Sequence, residues 1–226
     1  MKKYVLFAIC VITAFVAIEA QATLVQTFDF KCVTRNCDLN SVIGEDQFFI
    51  DVFNCENGRA KFKFNNTGPE NCTISEIYFY SDILLGEPDI DDSLPGVDFI
   101  TGAIPSNLPG GDNVTPAFEA VTCLSAEAKK PSPKNGVNPN QWVALTYGIT
   151  NGKNIEDVIN ELNTDQLRIG IHVQAFDNGG SESFITFNNN NNNNPTPIPE
   201  PTSISLLGMG VAFLFKKKTL FYRGLI

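Results

Sequence analysis

This sequence is short of histidine, of positive charge and of long apolar runs, and each shortage removes a class of function. His172 is its one histidine. It lies between Ile171 and Val173 with no serine or cysteine nucleophile motif nearby, so it reads as a structural or surface histidine and not as a catalytic base. GxSxG, HExxH and a Gly-rich phosphate loop are all absent, which removes the motif-based hydrolase, zinc-protease and nucleotide-binding readings. Glu76, Asp82 and Glu182 have no spacing that marks a glycosidase pair. The expectation is therefore a protein that is not an enzyme, with no catalytic residue and no resident cofactor. Lysine and arginine number 16 against 25 aspartates and glutamates, and between Thr23 and Pro199 the imbalance sharpens to 10 against 23, a net charge of −13. Such a surface repels nucleic acid and anionic lipid, which excludes nucleic-acid binding. The apolar stretches Tyr4–Ile18 and Ile204–Phe215 both fall short of the roughly 20 residues that a spanning helix needs.

What is present begins with a leader. Lys2 and Lys3 precede the apolar run, and the small-x-small triplet Ala20, Gln21, Ala22 follows it. That order is the layout of a secretory signal peptide over residues 1–22, cut by signal peptidase after Ala22. Glu19 and Gln21 close the run, against a permanent anchor. Ile9 is too large to precede a lipidated cysteine at Cys10.

Residues 23–187 read as strands, because apolar residues alternate with polar ones. RAKFKFNN is the cleanest case: Ala60, Phe62 and Phe64 point one way, Lys61 and Lys63 the other. Similar runs surround Phe28 and Phe30 and extend over Gln47–Phe53, Thr73–Tyr80, Phe118–Leu124 around Val121, Gln141–Ile149, Leu167–Phe176 and Glu182–Phe187. One segment has helical period instead, with Ile155, Val158, Ile159 and Leu162 on one face, Asn154 as N-cap and Asp157 near the positive helix end. The expected fold is all-β, a two-sheet, jelly-roll-like sandwich with this one short helix over one end. Leu85–Pro116 is expected to be an extended loop region with a short strand near Val97–Ile100.

Five cysteines remain beyond the leader: Cys32, Cys37, Cys55, Cys72 and Cys123. In an oxidising compartment they allow two bridges and one leftover thiol, with Cys32–Cys37 and Cys55–Cys72 as the local pairings, although spacing alone does not decide the connectivity. The single x4 spacing of Cys32 and Cys37 is a weak zinc pattern. Asp89, Asp91 and Asp92 offer hard oxygen ligands for Ca²⁺, but without the glycine and distal glutamate of an EF-hand a solvated acidic loop is the simpler reading. Trp142 and Tyr147 would stack on sugar rings if exposed. Within an apolar-rich strand Trp142 points more to the core.

Seven asparagines, Asn188–Asn194, open a linker over residues 188–198 with nothing apolar to bury. Pro199 and Pro201 then hold Ile198 and Glu200 extended, displaying Glu200 as a processing enzyme needs it. Twelve uncharged residues, Ile204–Phe215, and then Lys216, Lys217 and Lys218 follow. As a helix this run spans about 18 Å, shorter than the hydrocarbon core unless flanking residues and snorkelling lysines extend it. The lysines place the body outside the inner membrane.

Pro199, Glu200, Pro201, the apolar run and the lysines together resemble the PEP-CTERM sorting signal of Gram-negative bacteria. The body is similar to exported proteins of that family in NLPGGDN from Asn107, in NGVNPNQW from Asn135 to Trp142 and in the stretch from Leu167 to Phe184. The resemblance implies a transmembrane sorting helix within residues 199–226 that is recognised and cut by exosortase, a membrane cysteine transpeptidase. It also implies transient residence in the inner membrane, then placement at the cell surface or in the extracellular matrix, commonly beside exopolysaccharide. The alternative from the residues is an extracellular carbohydrate-binding module, calcium-dependent if the aspartate loop takes part.

Overall fold

A computed structural model describes residues 22–187. The leader through Gln21 and everything from Asn188 onward, including the asparagine tract and the Pro199–Lys218 signal, lie outside the described residues. The chain divides into two units, Met1–Asn189 and Asn190–Ile226, and the fold below is that of the first. Among the described residues no helix is long and apolar enough to cross a membrane.

In chain order the elements are β1 (Thr23–Cys32), α1 (Asp38–Gln47), β2 (Phe48–Cys55), β3 (Arg59–Asn66), β4 (Thr73–Tyr80), β5 (Leu84–Asp91), β6 (Phe99–Thr101), β7 (Ala126–Ala128), α2 (Ser132–Asn135), β8 (Gln141–Ile149), α3 (Ile155–Asn163), β9 (Arg168–Gln174) and β10 (Glu182–Phe187). All pairings are antiparallel, and the ten strands form one continuous sheet in the order β5-β8-β3-β2-β1-β10-β9-β4-β7-β6. The sheet nearly closes, because its edge strands β5 and β6 lie beside each other. Asp92, one residue past β5, accepts the Phe99 N–H of β6 at 3.0 Å.

The alternation read from the sequence decides which face turns inward. Phe62 and Phe64 of β3 are fully buried and meet Phe79 of β4 from the other half of the sheet, with Tyr147 of β8 completing the aromatic group. Asn57 and Gly58, with φ of 61° and 65°, turn the β2–β3 hairpin, a left-handed conformation that Asn and Gly adopt most easily. α3 sends Ile155, Val158 and Leu162 into the core. Its Asn154 cap is reciprocal: the Asn154 side chain accepts the Asp157 N–H, and the Asp157 carboxyl accepts the Asn154 N–H.

Four expectations need correction. There are three α-helices among the described residues, not one. α1 has no apolar stripe: it buries Asn40, Ser41, Gly44 and Gln47 and leaves Leu39 and Val42 exposed. It is seated by close approach, since a Cβ on Gly44 would stand 2.1 Å from Cζ of Phe184. The segment Leu85–Asp91, read as loop, belongs to an edge strand, Leu84–Asp91, whose bulge between Leu85 and Asp89 spans Gly86 and Pro88. A proline is tolerated there because an edge strand leaves some N–H groups unpaired. Conversely, Phe118–Leu124 forms no strand but an irregular stretch and a short turn of helix at Thr122–Leu124. Its first half lies on the outside of the sheet, where Phe118 and Leu108 cover Tyr78 in a second small core, and its second half brings Val121 and Leu124 to the main core. Gly170 makes room for this cover, because a Cβ there would lie 2.9 Å from Cδ2 of Leu108. The fourth correction concerns Cys55 and Cys72. Cys55 ends β2, whereas the Cys72 thiol lies 2.9 Å from Nε2 of Gln47, just before β2 begins. An eight-residue strand spans roughly 25 Å, and no disulfide bridges Cα atoms more than about 7 Å apart.

Candidate functional site

Two outward faces of the sheet gather polar chemistry. The first crosses β7, β4, β9 and β10. Glu76 is the direct cross-strand neighbour of both Glu127 and His172, and His172 of Ser183, so the four side chains share one face in one row. The register that aligns them depends on a bulge at Ser75. His172 Nδ1 and Ser183 Oγ are 3.0 Å apart. This pairing was invisible in the sequence because it is a product of strand register. Ser183 is fully buried and offers no approach to a substrate. Burial holds His172 below its usual range, with Glu182 opposing that effect.

Glu76 is 5% exposed, and its Oε2 has no hydrogen-bond partner. Burial, then the Glu127 carboxylate, pushes its carboxyl up to about 7. The unfolded carboxyl ionises near 4.5, so the folded state holds an extra proton between these values, and stability falls as pH rises from about 4.5 to about 7. Glu127 is partly held by the loop, its Oε2 accepting the Ile104 N–H at 2.9 Å. Glu76→Gln removes the titration and can donate to Glu127. The variant is expected to be more stable than wild type at pH 8, by on the order of 2–3 kcal/mol, and nearly equal to it at pH 4. Urea midpoints at the two pH values measure this, and equal midpoints at pH 8 would contradict it.

Glu182 points to the opposite, inner face. It is wholly buried and accepts from the N–H of Asn36 at 3.0 Å, the N–H of Cys37 at 2.7 Å, the Thr34 hydroxyl and the Cys32 thiol at 3.6 Å. Glu76 and Glu182 thus lie on opposite sides of the sheet and form no acid pair. Cys32 and Cys37 meet at this corner: the Ser41 hydroxyl lies 3.2 Å from the Cys32 sulfur and 3.1 Å from the Cys37 carbonyl. All five described cysteines are free thiols, and burial, then Glu70 and Asp177, pushes the Cys72 thiol up to about 12.

The aspartates of EPDIDDS are separately engaged. Asp89 pairs with Arg59, Asp91 lies 3.9 Å from Lys61 and accepts from Ser93, and Asp92 takes the Phe99 N–H. Among the described residues no group of three or more His, Cys, Asp and Glu is placed to hold a metal ion.

The second outward face crosses the other half of the sheet, and it corrects the expectation for Trp142. Tyr147 is core, donating its hydroxyl to the Leu124 carbonyl. Trp142 belongs to neither core cluster and stands half-buried on the outside, with the Lys63 ammonium 4.9 Å from its ring centre. Trp142 of β8 pairs with Asn65 of β3, Asn65 with Phe49 of β2, Phe49 with Asp29 of β1, and Asp29 with Phe187 of β10. The five form one row across the strands, each residue opposite the next. Asn65 Nδ2 donates to Asp51 at 3.1 Å, and Asp51 accepts from Thr27 at 2.6 Å. Phe187 is 45% exposed, with the Lys31 ammonium 5.8 Å from its ring centre. No protein-family model, curated protein or solved structure matches this chain.

Proposed function

We propose that this chain is an exported, non-enzymatic β protein, delivered to the cell surface or extracellular matrix after signal peptidase cuts behind Ala22 and an exosortase processes the Pro199-Glu200-Pro201 signal. The observation that carries this reading is the order at the C-terminal side: two prolines around one glutamate, an uncharged apolar run, then Lys216, Lys217 and Lys218. In this reading the exported body is a jelly-roll-like sandwich made from one sheet folded over, supported by the meeting of Phe62 and Phe64 with Phe79 across the core. Burial of Ser183 beside His172 supports the non-enzymatic part. In this reading the apolar run holds the chain in the inner membrane until cleavage, and the lysines keep its far end in the cytoplasm.

Mass spectrometry of envelope and medium fractions from a strain with active exosortase tests this. A mature chain that starts at Thr23 and has lost its C-terminal residues is the expected result. Glu200→Ala is expected to abolish the C-terminal loss. An intact C-terminus through Ile226 in the wild-type chain overturns the sorting claim.

A second reading, carbohydrate binding by the body, is favoured by one observation. Trp142 stands on the wet face, in line with two more aromatic rings. A glycan array with and without EDTA tests it and separates out any part played by calcium, and silence on both arrays ends it.

A further inference from the structure

We propose that the row Trp142–Asn65–Phe49–Asp29–Phe187 is the binding track for an uncharged, extended, β-linked polysaccharide that runs across the strands; this rests on the carbohydrate-binding reading and gives it a site, a direction and a class of sugar. Neighbouring strands are about 4.8 Å apart, so aromatic rings on every second strand recur at roughly 10 Å. The disaccharide unit of an extended β-linked hexose chain advances by a similar distance and presents a C–H face of every second ring to the same side. Three rings on β8, β2 and β10 therefore meet the first, third and fifth sugars. Asp29, exposed on the strand between Phe49 and Phe187, meets the fourth, where hydroxyl groups need hydrogen-bond partners, while Asn65 is buried beneath the second. Asn65 donates its Nδ2 to Asp51 and to the Lys63 carbonyl and braces the strand under the track.

Charge selects the class of polymer. The region from Thr23 to Pro199 carries −13 and repels an anionic chain. Around the row, Lys31 and Lys63 are offset by Glu45, Asp29 and Asp51, so the track itself has nearly balanced charge. An uncharged hydroxyl-rich chain suits both conditions. The rings belong to neither core cluster; the Lys63 and Lys31 ammonium groups lie over Trp142 and Phe187, and a sugar that stacks on these two rings displaces those flexible side chains.

The test is calorimetric titration of the full exported chain with cello-oligosaccharides of two to six units, and with oligogalacturonates of the same lengths. Affinity is expected to climb with length up to five units and then level off, with the anionic series binding more weakly. Trp142→Ala and Phe187→Ala are each expected to lower affinity for the five-unit chain roughly five- to tenfold and to leave the urea midpoint near wild type. Phe53→Ala, on the same face but outside the row, is expected to change neither. Equal affinity for two and five units, stronger binding of the anionic series, or binding untouched by the Trp142 and Phe187 variants overturns the track and leaves a carbohydrate site elsewhere. If neither series binds while the array finds another sugar, the track fails for this class. Silence of titration and array together ends both.

Discussion

Phe79→Ala is expected to destabilise the exported body by about 3–5 kcal/mol, the range for emptying a well-packed aromatic site. Phe79 is fully buried, and its ring makes edge contacts with Phe62 at 5.2 Å, Phe64 at 6.1 Å and Tyr147 at 4.9 Å between centroids. These three partners come from β3 and β8, in the half of the sheet facing β4, so removing one ring opens a void between the halves. Neighbours on two strands held in ladders on both sides cannot collapse into that space, which keeps the loss near the upper end. Denaturant unfolding monitored by circular dichroism measures it. Phe49→Ala provides the contrast: the residue change is the same, but the ring lies on the outer face and should cost less than about 1.5 kcal/mol. Similar losses at both positions would mean that the inner aromatic group does not carry the core.

Glu182→Ala is expected to cost about 3 kcal/mol or more, and Glu182→Gln nearly as much. The alanine leaves the N–H groups of Asn36 and Cys37 and the Thr34 hydroxyl without their shared acceptor, and each stranded donor costs about 1–3 kcal/mol where water does not reach it. Glutamine does not rescue. Oε1 accepts from Cys37 and Oε2 from Asn36, so either orientation of the amide sets an NH₂ against a backbone N–H. A purely steric role for Glu182 would instead be filled by glutamine. Thermal melting separates the two outcomes, and labelling of Cys32, buried beside this carboxyl, should become faster in both variants. Loss of this anchor also frees the start of α1, because Cys37 is the residue at its N-terminal boundary.

The segments legible from sequence were those in which burial on one face leaves a local trace. β3 matches its alternation from Arg59 to Phe64, and α3 matches both its apolar stripe and its Asn154 cap. α1 left no such trace because polar contacts and the Gly44–Phe184 approach seat it. β5 was masked by Gly86 and Pro88, which look like turn residues until the strand is known to lie at an edge. Phe118–Leu124 carries a strand-like pattern, but its apolar residues are divided between two cores, Phe118 and Ala120 on the outside of the sheet and Val121 and Leu124 on the main core.

Composition and periodicity by themselves determined the β-rich class, the capped helix and the strongly acidic balance, since each depends on residues close together in the chain. Only the tertiary structure decided which side chains act together. Strand register is a long-range property: a shift of one residue reverses every face. Register sets Glu76 against Glu127 and His172, and it lines Trp142, Phe49 and Phe187 along one track from strands that are far apart in the sequence.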